Sequence, residues 1–137
     1  MDRVNRLIYI GLVTVLTAAC NPSTQKNKKE MTTDLKKTGM VEITTFKLKK
    51  GVFIKDFEKA ALSMQKEFLE KQNGFLKRTL SVSQDSIWTD VVCWADQQSF
   101  EKTSALAEKS ILVLPFMEKI DFKSVKINLN TPIIIEE

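Results

Sequence analysis

Residues 75–94 read FLKRTLSVSQDSIWTDVVCW, and the fold turns on how this stretch is parsed. Two runs rich in β-branched and aromatic residues, Phe75 to Ser83 and Ile87 to Trp94, flank Gln84-Asp85-Ser86, three residues that favour turns. The pattern predicts two strands joined as a hairpin. Upstream, Phe53, Phe57, Ala60, Ala61, Met64 and Phe68 recur at intervals of three and four with charge between them, which predicts an amphipathic helix over Phe53 to Gln72. It closes at Gln72-Asn73-Gly74, where Gly74 can take the left-handed conformation. Before it, Met40 to Lys49 (MVEITTFKLK) reads as a strand stopped by Gly51. Downstream, Asp96 is a credible N-cap for a second helix from Gln97, with Phe100, Ser104, Ala107 and Ile111 on one face. Pro115 should interrupt that helix near Leu114 and open a short turn through Phe116, Met117 and Ile120. A last strand, Lys123 to Asn130, alternates Val125, Ile127 and Leu129 with Lys126 and Asn128. The tail then carries Ile133-Ile134-Ile135, too apolar to be left wholly in water.

Strand, helix, strand, strand, helix, strand is the split βαβ order. It predicts a ferredoxin-like α+β domain over residues 40–137, a four-stranded antiparallel sheet carrying two main helices on one face. Phe46, Leu48, Leu80, Val82, Trp88, Val92 and Trp94 are numerous enough to suggest that both sheet faces are apolar. A large naked apolar face is unusual for a soluble monomer. A homodimer, two sheets packed face to face as a dimeric α/β barrel, is therefore expected.

The other informative end is the N-terminus, where Arg3 and Arg6 precede an apolar run, Leu7 to Ala19, ending in Leu16-Thr17-Ala18-Ala19-Cys20. A basic start, a short apolar core and a small-residue cleavage site predict a signal peptide over residues 1–19. The run is too short for a comfortable membrane span. With Cys20 after two alanines, the segment resembles the lipobox of bacterial lipoproteins, in which the cysteine is acylated and becomes the mature N-terminus. Thr17 stands where the commonest lipobox has Leu, and Leu16 lies one step earlier, as looser versions allow. An ordinary cleaved signal or an uncleaved anchor are the alternatives. Residues 20–39 then read as a polar leash with five lysines against Glu30 and Asp34, too poor in apolar residues to offset the entropy of ordering it. Its lysines either rest on anionic headgroups or are merely solvated. The expected address is the bacterial cell envelope, membrane-anchored through lipid on Cys20. Asn21, in place of the aspartate linked with inner-membrane retention, tilts the expectation toward the outer membrane.

Composition excludes several function classes. Residues 40–137 hold 14 basic and 14 acidic side chains, so the domain has no global positive excess suited to nucleic acid. The chain has no histidine, which removes Ser-His-Asp and Cys-His catalysis and histidine-held zinc or haem. There is no CxxC pair, P-loop or GxGxxG, and only four glycines with which to cradle a phosphate. No metal site and no cofactor are expected. Cys93, the one thiol besides Cys20, reads as a small hydrophobe in an apolar run rather than a nucleophile.

Three segments carry a resemblance. Val41-Glu42-Ile43-Thr44-Thr45-Phe46-Lys47-Leu48-Lys49-Lys50-Gly51, followed by a helix containing Asp-Phe, resembles the opening of dimeric α/β-barrel proteins of the antibiotic biosynthesis monooxygenase-like group. Gly74-Phe75-Leu76-Lys77-Arg78-Thr79-Leu80 and Trp88-Thr89-Asp90-Val91-Val92-Cys93-Trp94 are similar to the group's central hairpin. The resemblance covers about ninety residues, Met40 to Asn130, through hydrophobic pattern and a few aromatic positions. It implies the fold. It also implies that cofactor-free oxygenation of electron-rich aromatic molecules is one activity to consider, whereas the haem-dependent members rely on a histidine that is missing here.

The candidate pocket residues are Arg78, Trp88, Asp90 and Trp94. Arg78 and Asp90 stand on opposite strands of the hairpin, where they would form an ion pair, meet a ligand or face solvent, depending on a register that a one-residue slip inverts. Trp88 and Trp94 share strand parity and should point to one face, as core, as dimer interface or as cavity lining. The leading expectation is a lipid-anchored envelope protein whose domain binds a small, largely apolar molecule. A cofactor-independent monooxygenase-like enzyme and a protein–protein interaction module of the envelope are the alternatives.

Overall fold

Alternation of inward and outward side chains builds the sheet. The structure, a computed structural model, describes residues 37–133 and 135; the signal, Cys20 and most of the leash lie outside the described residues. Strand β1 (Met40–Leu48) pairs antiparallel with β3 (Trp88–Trp94) on one side and with β4 (Ile120–Asn130) on the other. Strand β2 (Phe75–Val82) completes the sheet, in the order β2-β3-β1-β4. In β3 the alternation is clean: Trp88, Asp90, Val92 and Trp94 are buried while Thr89, Val91 and Cys93 are half-buried on the other face. Directly opposed residues of an antiparallel pair share a face. Phe46, Thr44, Glu42 and Met40 of β1, opposite those four, therefore look the same way.

That face is roofed by helices. Helix α1 (Ile54–Glu67) buries Phe57, Ala60, Ala61 and Met64, spaced three or four apart, against the sheet. Helix α2 (Gln97–Ala107) starts on Asp96, whose carboxylate accepts the Ser99 N–H at 2.7 Å, as an N-cap should. That bond holds the Asp96 carboxyl below its usual pKa. A short helix α3 (Leu114–Met117) follows, with Pro115 in its first turn, where the missing N–H costs nothing. The aromatic centre forms where these elements meet. The Phe57 ring lies 4.6 Å from Trp88, 5.7 Å from Phe46 and 5.3 Å from Phe116, centroid to centroid.

The split βαβ order and the ferredoxin-like α+β class expected from the sequence are those observed. Several details differ. Helix α1 stops at Glu67 and a 3₁₀ turn, Leu69–Lys71, carries the chain on; Gly74 takes φ +83° at the entry to β2 rather than at the helix end. Phe53 is the N-cap of α1, not part of its apolar stripe, and is 75% exposed. Helix α2 ends at Ala107, ahead of Pro115, so Ile111 lies beyond it in a turn and is exposed. β4 begins at Ile120 because Leu48 and Lys47 of β1 pair with Ile120 and Asp121 across an irregularity, where the Ser124 hydroxyl accepts the Lys47 N–H at 2.8 Å. In the tail, Ile133 and Ile135 are exposed, and Ile134 is outside the described residues.

The largest correction concerns the two sheet faces. Phe46, Leu48, Leu80, Val82, Trp88, Val92 and Trp94 all lie on the helix-covered face, because register and parity align them. The opposite face is instead made of smaller residues, among them Val41, Ile43, Thr45, Thr89, Val91 and Cys93, each half-buried.

Candidate ligand-binding site

Between sheet and roof lies a cavity of about 530 Å³. Its floor is the inward face of β1 and β3: Glu42, Thr44 and Phe46, with Asp90, Val92 and Trp94. Met64 and Phe68 close one side. Thr103, Ser104 and Ala107 of α2, then Leu114, Phe116 and Met117 of α3, form the roof. Phe122, Val125 and Ile127 of β4 complete the wall, and Leu114, Phe122 and Ile127 are themselves about half exposed, which places them at the mouth. The volume is that of a small-molecule site, and apolar walls with a few polar groups are the usual make-up of one.

Two carboxylates stand on the floor, and their surroundings differ. Asp90 receives the Arg78 guanidinium through Nε at 2.8 and 3.1 Å and through Nη2 at 2.6 Å. Arg78 also donates Nη1 to the Ala61 carbonyl at 2.9 Å and sits 5.0 Å above the Phe116 ring. Its side chain is 2% exposed and that of Asp90 10%, so the pair is a buried, bidentate one that ties β2 and β3 to α1 and α3. The register explains it: Asp90 is opposite Leu80 and Val92 opposite Arg78, which makes Arg78 and Asp90 diagonal neighbours on one face.

Among the described residues Glu42 has no such partner. It accepts the indole N–H of Trp94 at 3.3 Å and the Thr44 hydroxyl at 3.2 Å, both neutral donors at long range. Burial pushes its pKa above the usual 4.5, the two hydrogen bonds and the Arg78 charge pull it down, and the Asp90 charge raises it. The net direction is up. A carboxyl in this setting holds or releases a proton nearer neutrality than a surface glutamate does, which suits it to accept a hydrogen bond or a proton from a bound molecule.

Of the four residues singled out from sequence, Asp90 and Trp94 line the cavity. Arg78 and Trp88 are not among its lining residues: Arg78 is engaged by Asp90 and Ala61, and Trp88 packs on Phe57 in the core. Sequence reasoning missed Glu42. The available signal was parity: a lone acid in phase with Met40, Thr44 and Phe46 on a strand whose inward face is otherwise apolar or neutral. Cys93 faces away from the cavity, half-buried on the outer sheet face. Among the described residues no group of His, Cys, Asp and Glu side chains has a metal-binding arrangement. None of the helices among them is long and apolar enough to cross a membrane.

No protein-family model matches the sequence, and no curated protein does. Solved structures do match. SnoaB, a cofactor-independent oxygenase from Streptomyces nogalater, is 16% identical with a TM-score of 0.57, over 70% of this chain and 94% of that one. A conserved protein from Methanosarcina mazei Go1 is 17% identical with a TM-score of 0.54, over 71% and 95% of the two chains. A monooxygenase from the ActVA-Orf6 gene of Streptomyces coelicolor, solved in complex with nanaomycin D, is 17% identical with a TM-score of 0.50, over 74% and 96%. At these identities the likeness is one of architecture: the chain has the ferredoxin-like α+β fold of antibiotic biosynthesis monooxygenase-type proteins.

Proposed function

We propose that this protein binds a small, largely apolar molecule in the cavity between its sheet and its helices, as a lipid-anchored component of the bacterial envelope. The observation that carries the reading is the cavity itself, about 530 Å³ of apolar wall with the desolvated Glu42 carboxyl on its floor. Anchoring rests on the run that ends at Cys20 and on the lysine-bearing leash after it. Pairing of two copies rests on the outer sheet face, where Val41, Ile43, Val91 and Cys93 are half-buried in a single chain and would be covered by a second sheet. The test is uptake of an apolar fluorophore by the detergent-solubilised full chain, with native mass spectrometry for any copurified molecule. Ala107→Phe, which fills the roof, should weaken uptake by about tenfold or more while leaving the melting temperature nearly unchanged. Equal uptake by both proteins, or none by wild type, sinks the reading. Cys20→Ala should move the protein out of the detergent phase, and sedimentation should give twice the protomer mass.

A second reading, a cofactor-independent oxygenase-like enzyme, draws support from the architecture shared with SnoaB and the ActVA-Orf6 monooxygenase. Oxygen uptake against a panel of quinols tests it, and turnover no faster than in buffer counts against it.

A further inference from the structure

We infer that Glu42 is a proton-transfer group, acting on a largely apolar carbonyl compound with an acidic C–H beside its carbonyl. The inference rests on the ligand-binding reading of the cavity and adds a chemistry to it. Asp90 is occupied at both oxygens by Arg78, whereas each Glu42 oxygen receives one neutral donor and keeps acceptor capacity. Among the described residues the one guanidinium near the floor is spent on Asp90 and the Ala61 carbonyl, and the cavity lining holds no other cation for an anionic ligand. The molecule that suits such a floor is neutral on entry, with a proton to give to a carboxylate and an oxygen to receive the charge. Ser104, on the cavity roof, brings a hydroxyl suited to donate to that oxygen.

The step balances without an oxidant or reductant. The Glu42 carboxylate takes the proton from the carbon beside the carbonyl; the C–H electron pair becomes a C=C bond and the carbonyl π pair moves to oxygen, giving an enolate. The protonated Glu42 then returns a proton to the same or a conjugated carbon and is a carboxylate again. The outcome is isotope exchange or double-bond migration.

The test uses the full chain in D₂O with β-tetralone, following loss of its α-proton signals by NMR and its binding by tryptophan fluorescence. Wild type should exchange the protons about 10²-fold faster than buffer, the usual scale of a positioned base. Glu42→Gln should fall to the buffer rate with binding retained, and Glu42→Asp should keep part of the activity. The wild-type rate should climb with pH and level off once Glu42 is ionised; the other charged groups facing it are Asp90, Arg78 and Glu108. Exchange by Glu42→Gln at the wild-type rate overturns the inference. Binding without exchange in wild type overturns it too, and leaves the ligand-binding reading standing. Failure of wild type to bind either β-tetralone or an apolar fluorophore removes both.

Discussion

Replacing Arg78 by methionine keeps an unbranched apolar stem and removes the guanidinium, which is the sharpest available cut through the floor of the site. Three contacts to Asp90 and one to the Ala61 carbonyl disappear, and Asp90 is left as a carboxylate with a 10% exposed side chain and no cation. Breaking a buried pair by deleting one partner costs about 3–5 kcal/mol, because the remaining charge has lost its compensation. A domain of this size has only about 5–15 kcal/mol in hand. The loss should lower the melting temperature by roughly 12 °C or more. Urea unfolding of the full chain, followed by tryptophan fluorescence and circular dichroism, measures it. Arg78→Met/Asp90→Leu, which removes both charges, should return to within about 1–2 kcal/mol of wild type. A single-variant loss under about 1 kcal/mol, the scale of an exposed pair, would refute the reasoning. So would a double variant no more stable than the single one. Burial raises the Glu42 pKa and the Arg78 charge opposes part of that rise, so the single variant should raise it further.

Three other outcomes follow from the same geometry. Between pH 4.5 and the raised Glu42 value, the folded protein keeps a proton that the unfolded chain has released, so stability falls as pH rises through that window and is flat above it. Glu42→Gln should erase this fall in urea midpoints taken from pH 4 to 8, and an unchanged slope would deny the burial effect. Gly74→Ala should cost clearly more than Gly51→Ala: both positions have positive φ, but a Cβ at Gly74 collides with the Ser99 side chain whereas one at Gly51 meets nothing within 4 Å. Equal midpoints for the two variants would contradict that. Phe57→Ala, at a fully buried ring touching Trp88, Phe46 and Phe116, should lose about 3–5 kcal/mol in the same assay.

The element order was legible because each local signal is strong and they agree: a period of three to four in Phe57, Ala60, Ala61 and Met64, a turn at Gln84-Asp85-Ser86, and a cap at Asp96. Ser86, the last of the turn residues, takes φ 59° there, a left-handed step that closes a short hairpin loop. Facing was less legible. Strand parity within one run is visible, but the phase between runs depends on bulges such as the extra residue between Phe75 and Lys77, which no composition signal marks. Leu80 and Val82 could not be placed with Trp88 and Val92 in advance because their phase is set by the hairpin loop, which pairs Val82 with Trp88 and Leu80 with Asp90. The end of helix α2 is hidden for a related reason: Ile111 continues the apolar period, yet it is 79% exposed, because the chain leaves the helix at Ala107 to position Val113 and Phe116 in the core.

The site residue with the weakest sequence signal, Glu42, is also the one whose structure is hardest to explain by stability alone. Asp90 shows how this fold treats a buried charge that serves architecture: a bidentate guanidinium, a cation over an aromatic ring, and a carbonyl to take a further N–H. Glu42, two positions along the neighbouring strand from the residue opposite Asp90, receives only an indole N–H and a hydroxyl, and its burial raises its pKa in spite of them. A glutamine or methionine there would remove that desolvation cost. An acid on the floor of a largely apolar cavity with only two neutral donors works against the packing around it, and such local conflicts are characteristic of functional sites. The contrast between the two carboxylates therefore separates the part of the floor that holds the fold together from the part that we propose meets a ligand.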